Sequence, residues 1–137
     1  SKELLREILQ EFASIIKSTE YKARIVATRG TEGTKCPRWH VDYVPVRALV
    51  NLVGPGCMWV EERNDGAIDR VALGNVDDLS DEANSRIVND KRAVVQQPEE
   101  GTCVFLLGRE WESPNNPAVV HKSPILKKWE GRVLLTL

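Results

Sequence analysis

What this chain has little of narrows its chemistry before any motif is sought. Its 137 residues include only two histidines, three cysteines, one methionine and two each of phenylalanine and tyrosine. The cysteines Cys36, Cys57 and Cys103 are odd in number, widely spaced and without a Cys-x-x-Cys pair. That excludes a disulfide framework and points to free thiols in a reducing compartment such as the cytoplasm. Each is expected to be a small buried hydrophobe, with a thiolate contribution from Cys36 to a zinc site as the lesser alternative. An excess of either charge sign is also missing. The 19 basic and 20 acidic residues leave a net charge of -1, without a polybasic cluster, so a nucleic-acid partner is not expected. The longest apolar runs, Ala48–Val53 and Val104–Leu107, are far too short to cross a bilayer, and no charged-then-apolar leader opens the chain. A soluble protein is expected, with no membrane partner. The first residue is Ser1, which leaves room for a removed segment ahead of it. Internal repeats, low-complexity tracts, a nucleophile elbow and a phosphate loop are absent.

At this length one domain, 1–137, is the simplest organisation, large enough to bury a core without disulfides. Residues 1–17 place Leu4, Leu5, Ile8, Leu9, Phe12, Ile15 and Ile16 at the three-and-four spacing of an amphipathic helix, which should pack on a β core spanning about 21–137. Tyr21 to Thr28 reads as a strand ending in a glycine-bearing loop. From Trp39 to Val53 the chain is β-prone, with Pro45 splitting it or marking an edge. Gly54-Pro55-Gly56 is a turn, Cys57 to Glu62 a short strand, and Asn64-Asp65-Gly66 a turn or helix start. Ile68 to Leu73 is compatible with a helical turn, and Ser80 before Asp81 and Glu82 looks like a capped helix start. Ala93 to Gln96, Thr102 to Leu107, Ala118 to His121 and Arg132 to Leu137 read as further strands, with Ser113 to Pro117 a polar loop. Many short strands behind one helix predict a mainly β sandwich or small barrel, and a jelly roll fits the series.

Both histidines enter the one constellation that carries chemistry. In Cys36-Pro37-Arg38-Trp39-His40-Val41-Asp42, strand alternation would point His40 and Asp42 to the same side. His121 supplies a second imidazole, 79 residues beyond Asp42. Two neutral imidazoles and one carboxylate form the set that holds a non-haem Fe(II) on one face and leaves positions open for substrate and O2. Zn(II) accepts the same ligands and binds ahead of Fe(II) in the affinity order. Arg132 opens the last strand, and its planar fork suits a carboxylate. Arg47 is the alternative anchor, and Asn51, of the same strand parity, is a polar contact. The bland readings are a histidine merely oriented by its neighbouring carboxylate, a loop histidine at His121, a surface charge at Arg132, and solvated acidic pairs at Glu61-Glu62 and Asp77-Asp78. The tryptophans are expected to pack, with Trp39 and Trp59 candidates for a pocket wall.

The order His-x-Asp, distal His, then Arg resembles the 2-oxoglutarate- and Fe(II)-dependent dioxygenases. That resemblance implies a double-stranded β-helix (cupin-like barrel), Fe(II) on His40, Asp42 and His121, and 2-oxoglutarate chelating the metal with its distal carboxylate on Arg132 or Arg47. Many of those enzymes carry Ser or Thr two residues after the Arg, where this chain has Leu134. The longer phrases Cys36 to Asp42, Val53-Gly54-Pro55-Gly56, Asp69-Arg70, Val120-His121-Lys122-Ser123-Pro124 and Arg132-Val133-Leu134-Leu135-Thr136 resemble a family of small proteins catalogued as a domain of unknown function, found near zinc-handling genes in bacteria. The resemblance runs from about Lys35 to Leu137. It implies either an oxygenase acting on a small molecule or a protein side chain, or a non-catalytic zinc-binding protein of metal homeostasis.

Overall fold

The computed structural model describes residues 2–63, 65–74 and 80–137, so Asn64 of the first Asn-Asp-Gly turn and the Asp77-Asp78 pair lie outside the described residues. The chain is mainly β, with two antiparallel sheets and two α-helices. Helix α1 spans Lys2–Ile16 and α2 spans Asp81–Ile87. The strands are β1 (Arg24–Arg29), β2 (Val46–Val53), β3 (Met58–Val60), β4 (Val95–Gln96), β5 (Cys103–Leu107), β6 (His121–Lys122) and β7 (Gly131–Thr136). A four-stranded sheet has the order β1-β7-β2-β5, and a three-stranded sheet the order β4-β3-β6. Among the described residues no strand pairing joins the two sheets, so the expected closed barrel is not formed. Strands of two or three residues in the smaller sheet offer too few ladder bonds to carry a continuous wall around a barrel.

The sheets meet through side chains. Leu49, Cys57 and Leu106 are buried there, with Trp59, Val104, Val119 and Leu134 against them. On the far side of the larger sheet, Phe12 of α1 is buried with Ala48, Val50, Leu135 and Leu137, flanked by Leu5, Ile8, Leu9 and Ile16. Phe12 also meets Tyr21 edge-on at 5.5 Å and stacks on Phe105 at 6.4 Å between ring centroids. A third cluster, including Trp39, Val60, Ile87, Val88 and Val120, lies under the smaller sheet and α2. Ser80 caps α2 as its position predicts, its hydroxyl accepting from the Ala83 amide at 3.1 Å.

Two expectations about strands are corrected. The predicted strand from Trp39 does not form before Pro45; only His40 makes a bridge, and β2 begins at Val46. Proline has no amide hydrogen for a ladder, so regular pairing starts after it. The strand predicted at Ala118 to His121 is the two-residue β6, with Val119 and Val120 bonded outside it to Leu107 and Val60. The Gly54 turn is as expected and is sterically required. Gly54 has φ +78°, and a Cβ there would sit 2.1 Å from the Gly131 carbonyl oxygen, where β2 bulges against β7. No helix among the described residues is long and apolar enough to cross a membrane.

Candidate metal centre

The residue pair that builds the site is His40 and His121. Each backbone amide donates to the other's carbonyl, at 3.0 and 2.9 Å, so the two residues face one another as an antiparallel bridge. Residues directly opposite in such a pair project their side chains to the same face. The imidazole centroids accordingly lie 4.4 Å apart. A second clamp holds the same two segments, because the Ser123 amide donates to the Cys36 carbonyl at 3.0 Å. Asp42 joins them from the irregular turn before β2. His40 Nε2 is 3.8 Å from Asp42 Oδ1, and His121 Nε2 is 3.6 Å from Asp42 Oδ2. The sequence expected strand alternation to unite His40 with Asp42, whereas the structure does so with a bridge and a turn.

Backbone contacts fix which ring nitrogens face the centre. His40 Nδ1 lies 2.8 Å from the Arg38 carbonyl, and His121 Nδ1 lies 3.0 Å from the Val119 carbonyl. A carbonyl oxygen can only accept, so each Nδ1 carries a proton, and in the neutral ring the lone pair falls on Nε2. The third member is an acceptor-only carboxylate. With both rings neutral, three lone-pair donors converge, a set that could hold a metal ion. Their ligand atoms lie within 4.8 Å of one another. Ligands at the usual ~2.1 Å from a zinc- or iron-sized ion are roughly 3–3.5 Å apart, so a small inward adjustment brings all three into coordination range.

Electrostatics favour the ligating forms of His40 and Asp42. Burial, and then the nearby His121 ring, push His40 below its ordinary value and favour the neutral imidazole. Burial alone would raise Asp42, but His121 and Arg47 outweigh it and hold the carboxyl well below the usual carboxylate range. Arg47 Nε donates to Asp42 Oδ2 at 2.8 Å, so this arginine orients a ligand.

The three residues line a pocket that opens off the inter-sheet cluster, whose walls include Leu49, Cys57 and Leu134. Arg132 and Arg47 both line it; Asn51 does not. The Asn51 side chain is buried elsewhere and donates to the Gly54 carbonyl at 2.7 Å, holding the turn. Arg132 is only 7% exposed, its Nη1 donates to Ser123 Oγ at 3.0 Å, and its Nε and Nη2 have no partner. Nε and Nη2 form one edge of the guanidinium, the fork that receives a carboxylate through two parallel bonds. Buried polar atoms without partners are rare; Arg109 Nε and Asn51 Oδ1 are others among the described residues, but of these only the Arg132 edge belongs to a residue lining the pocket.

Ser123 was visible to sequence reading only as part of the His121-Lys122-Ser123-Pro124 phrase, and nothing in the sequence ties it to Arg132. Cys57 is buried as expected, its thiol pushed up to about 11 by burial despite the counteracting Arg132. Cys36 is instead exposed, in left-handed backbone at φ 49°, on the pocket wall. All three cysteines are free. Trp39 and Trp59 pack in cores and do not line the pocket; the Lys122 ammonium caps the Trp39 ring at 4.5 Å from its centroid. Glu61 and Glu62 pair with Arg63 and Arg70, away from the centre.

No curated protein and no solved structure matched this chain. Residues 4–137 match one family throughout, and the chain belongs to that family, described as protein of unknown function (DUF1826).

Proposed function

We propose that this protein is a non-haem Fe(II)- and 2-oxoglutarate-dependent oxygenase, with His40, Asp42 and His121 as metal ligands and Arg132 as the cosubstrate anchor. The observation that carries the reading is the buried, unpartnered Nε–Nη2 edge of Arg132 in the same pocket as the three converging ligands. A purely structural zinc site is closed by four protein ligands and needs no anion receptor. Three ligands beside a receptor for a carboxylate suit a site that takes an anionic chelator. An Fe(II) ion held there would supply dioxygen activation, for a net conversion of R–H, O2 and 2-oxoglutarate to R–OH, CO2 and succinate. The protein's own part is distinct. The Arg38 and Val119 carbonyls set the imidazole tautomers, Arg47 orients Asp42, and Ser123 aims the free edge of Arg132. The jelly-roll reading of the fold belongs to this proposal, with the two sheets as the facing halves of an open double-stranded β-helix.

Protein loaded anaerobically with Fe(II) is expected to develop a metal-to-ligand absorption band on adding 2-oxoglutarate, and to release succinate in air. Tight zinc in the protein as isolated, with neither band nor succinate, would replace this reading with a non-catalytic zinc-binding protein.

A further inference from the structure

The walls of the pocket beyond the three ligands are strongly one-signed. Among the described residues five cationic side chains, Arg24, Lys35, Arg47, Lys122 and Arg132, line it, against the single carboxylate of Asp42. Three of the five are occupied. Arg47 is bonded to Asp42, Lys122 lies over Trp39, and Arg132 is held by Ser123, with its Nε–Nη2 edge given above to the cosubstrate. Arg24 and Lys35 remain, both exposed and without a carboxylate within ion-pair distance among the described residues.

Strand register places Arg24 away from the cosubstrate anchor, while Lys35 lies on the loop clamped to Ser123 through the Cys36 carbonyl. In the β1–β7 ladder Arg24 stands opposite Thr136, Val26 opposite Leu134, and Thr28 opposite Arg132. Arg24 and Arg132 therefore mark opposite ends of the pocket floor, four residues or about 13 Å apart along the strands. Between them the lining is apolar, with Val26, Leu134 and Leu126. One cation would be ample for a cosubstrate carboxylate, yet Arg24 stands on the open edge strand at the far end of the floor and Lys35, on the loop after β1, adds a further positive charge.

We propose that the substrate handled at this centre is a small organic acid, its carboxylate or phosphate docking on Arg24 while its apolar part lies over Val26, Leu134 and Leu126, with Lys35 adding to the positive potential that draws it in. The proposal rests on the reading of His40, Asp42 and His121 as the reacting centre, and names the substrate class for it. Unscreened positive potential at a pocket mouth also raises the local concentration of anions and speeds their entry.

The test uses full-length protein carrying redox-inert Zn(II), saturated with 2-oxoglutarate, and titrated calorimetrically with phenyl phosphate, phenylacetate and the neutral benzyl alcohol. At least one acid is expected to bind at least tenfold more tightly than the alcohol, and comparing the two acids tells phosphate from carboxylate. The exposed double variant Arg24→Gln/Lys35→Gln should weaken the acids about fivefold or more, as loss of one rim ion pair and of a second positive charge allows, with zinc stoichiometry unchanged. Equal affinity for acid and alcohol, no acid binding at all, or acid binding indifferent to the double variant would each overturn the proposal. If 2-oxoglutarate itself fails to bind, the oxygenase reading falls, and the same acid titrations without it still decide the role of Arg24 and Lys35.

Discussion

The two faces of the four-stranded sheet are built from the same strands and do opposite work. On β2, Ala48 and Val50 turn to α1 and are fully packed, while Arg47 and Leu49 line the pocket. On β7, Leu135 faces Phe12, while Arg132, Leu134 and Thr136 face the pocket. One face is apolar packing, with the free Cys103 thiol at its margin. The other keeps a buried guanidinium edge unpartnered and three lone-pair ligands pointing at one another. Stability and binding are thus separated by a single residue along each strand. A slip of one residue would exchange them, and the register is pinned by the Asn51–Val53 bulge and the close approach of Gly54 to Gly131.

The separation can be broken most forcefully from the helix side. Phe12→Ala removes a ring that is 3% exposed and is expected to cost about 3–5 kcal/mol of stability, read as a lowered denaturant midpoint. Metal stoichiometry below the unfolding transition should stay at one. If Phe12→Ala also strips the metal from folded protein, the faces are coupled and the comparison fails. The converse change, His121→Ala, should lower zinc or iron affinity on the order of a hundredfold or more, beyond the ten- to hundredfold seen when only a ligand's supporting contact is lost. Metal-free stability should change far less than for Phe12→Ala. Stoichiometric metal retained after His121→Ala, measured by elemental analysis, would remove this residue from the ligand set.

How far these faces were legible in the sequence follows the same division. The helix over Lys2–Ile16 and the strands at β1, β2, β5 and β7 have local causes: three-and-four spacing, β-branched runs and glycine turns. The ligand types were also legible, because the chain owns only two histidines. The means of convergence was not. A bridge between His40 and His121 is a long-range pairing with no local signal, and Pro45 argues only for where β2 begins. Asn51 shows the limit of parity reasoning: it shares a face with Arg47 by alternation, but the bulge at the end of β2 turns its amide to Gly54. Closure into a barrel was unreadable for a related reason, since strand lengths in the smaller sheet are set by tertiary pairing rather than by composition.

Arg132 offers a finer test, because its placement is useful for binding and unfavourable for stability. Burial pushes its guanidinium below the ordinary value, against the effect of Cys57, and two of its donors are unsatisfied. Arg132→Met keeps the packing volume and removes the buried charge. It forfeits the bond to Ser123, worth about 1 kcal/mol, and relieves unpaired donors that cost about as much or more. Metal-free stability is therefore expected to hold or rise slightly, while 2-oxoglutarate affinity falls at least tenfold. Destabilisation well beyond 1 kcal/mol in denaturant titrations would make Arg132 a structural residue.

The smallest expected effect is the pH response of metal-free protein, which isolates the pocket face from the helix face. His40 is held below its ordinary value of 6.5 in the folded state, so the unfolded chain takes up this proton first. Its contribution to stability is complete above pH 6.5 and declines as the pH falls from there through the folded value. Asp42 is also depressed on folding, from 3.8; its contribution is complete above that unfolded value and is lost only in stronger acid. Acidification should therefore destabilise in two stages, the first below pH 6.5 from His40 and the second below about pH 4 from Asp42 and other carboxylates. His40→Gln should remove the first stage alone, and Phe12→Ala should lower the whole curve without changing its shape. Denaturant midpoints at pH 7.5, 6.0 and 5.0 measure this directly. Parallel loss in wild type and His40→Gln would mean that the His40 imidazole is not held neutral by its surroundings, which would leave the bridge intact but undo the claim that this ring is kept ready for a metal.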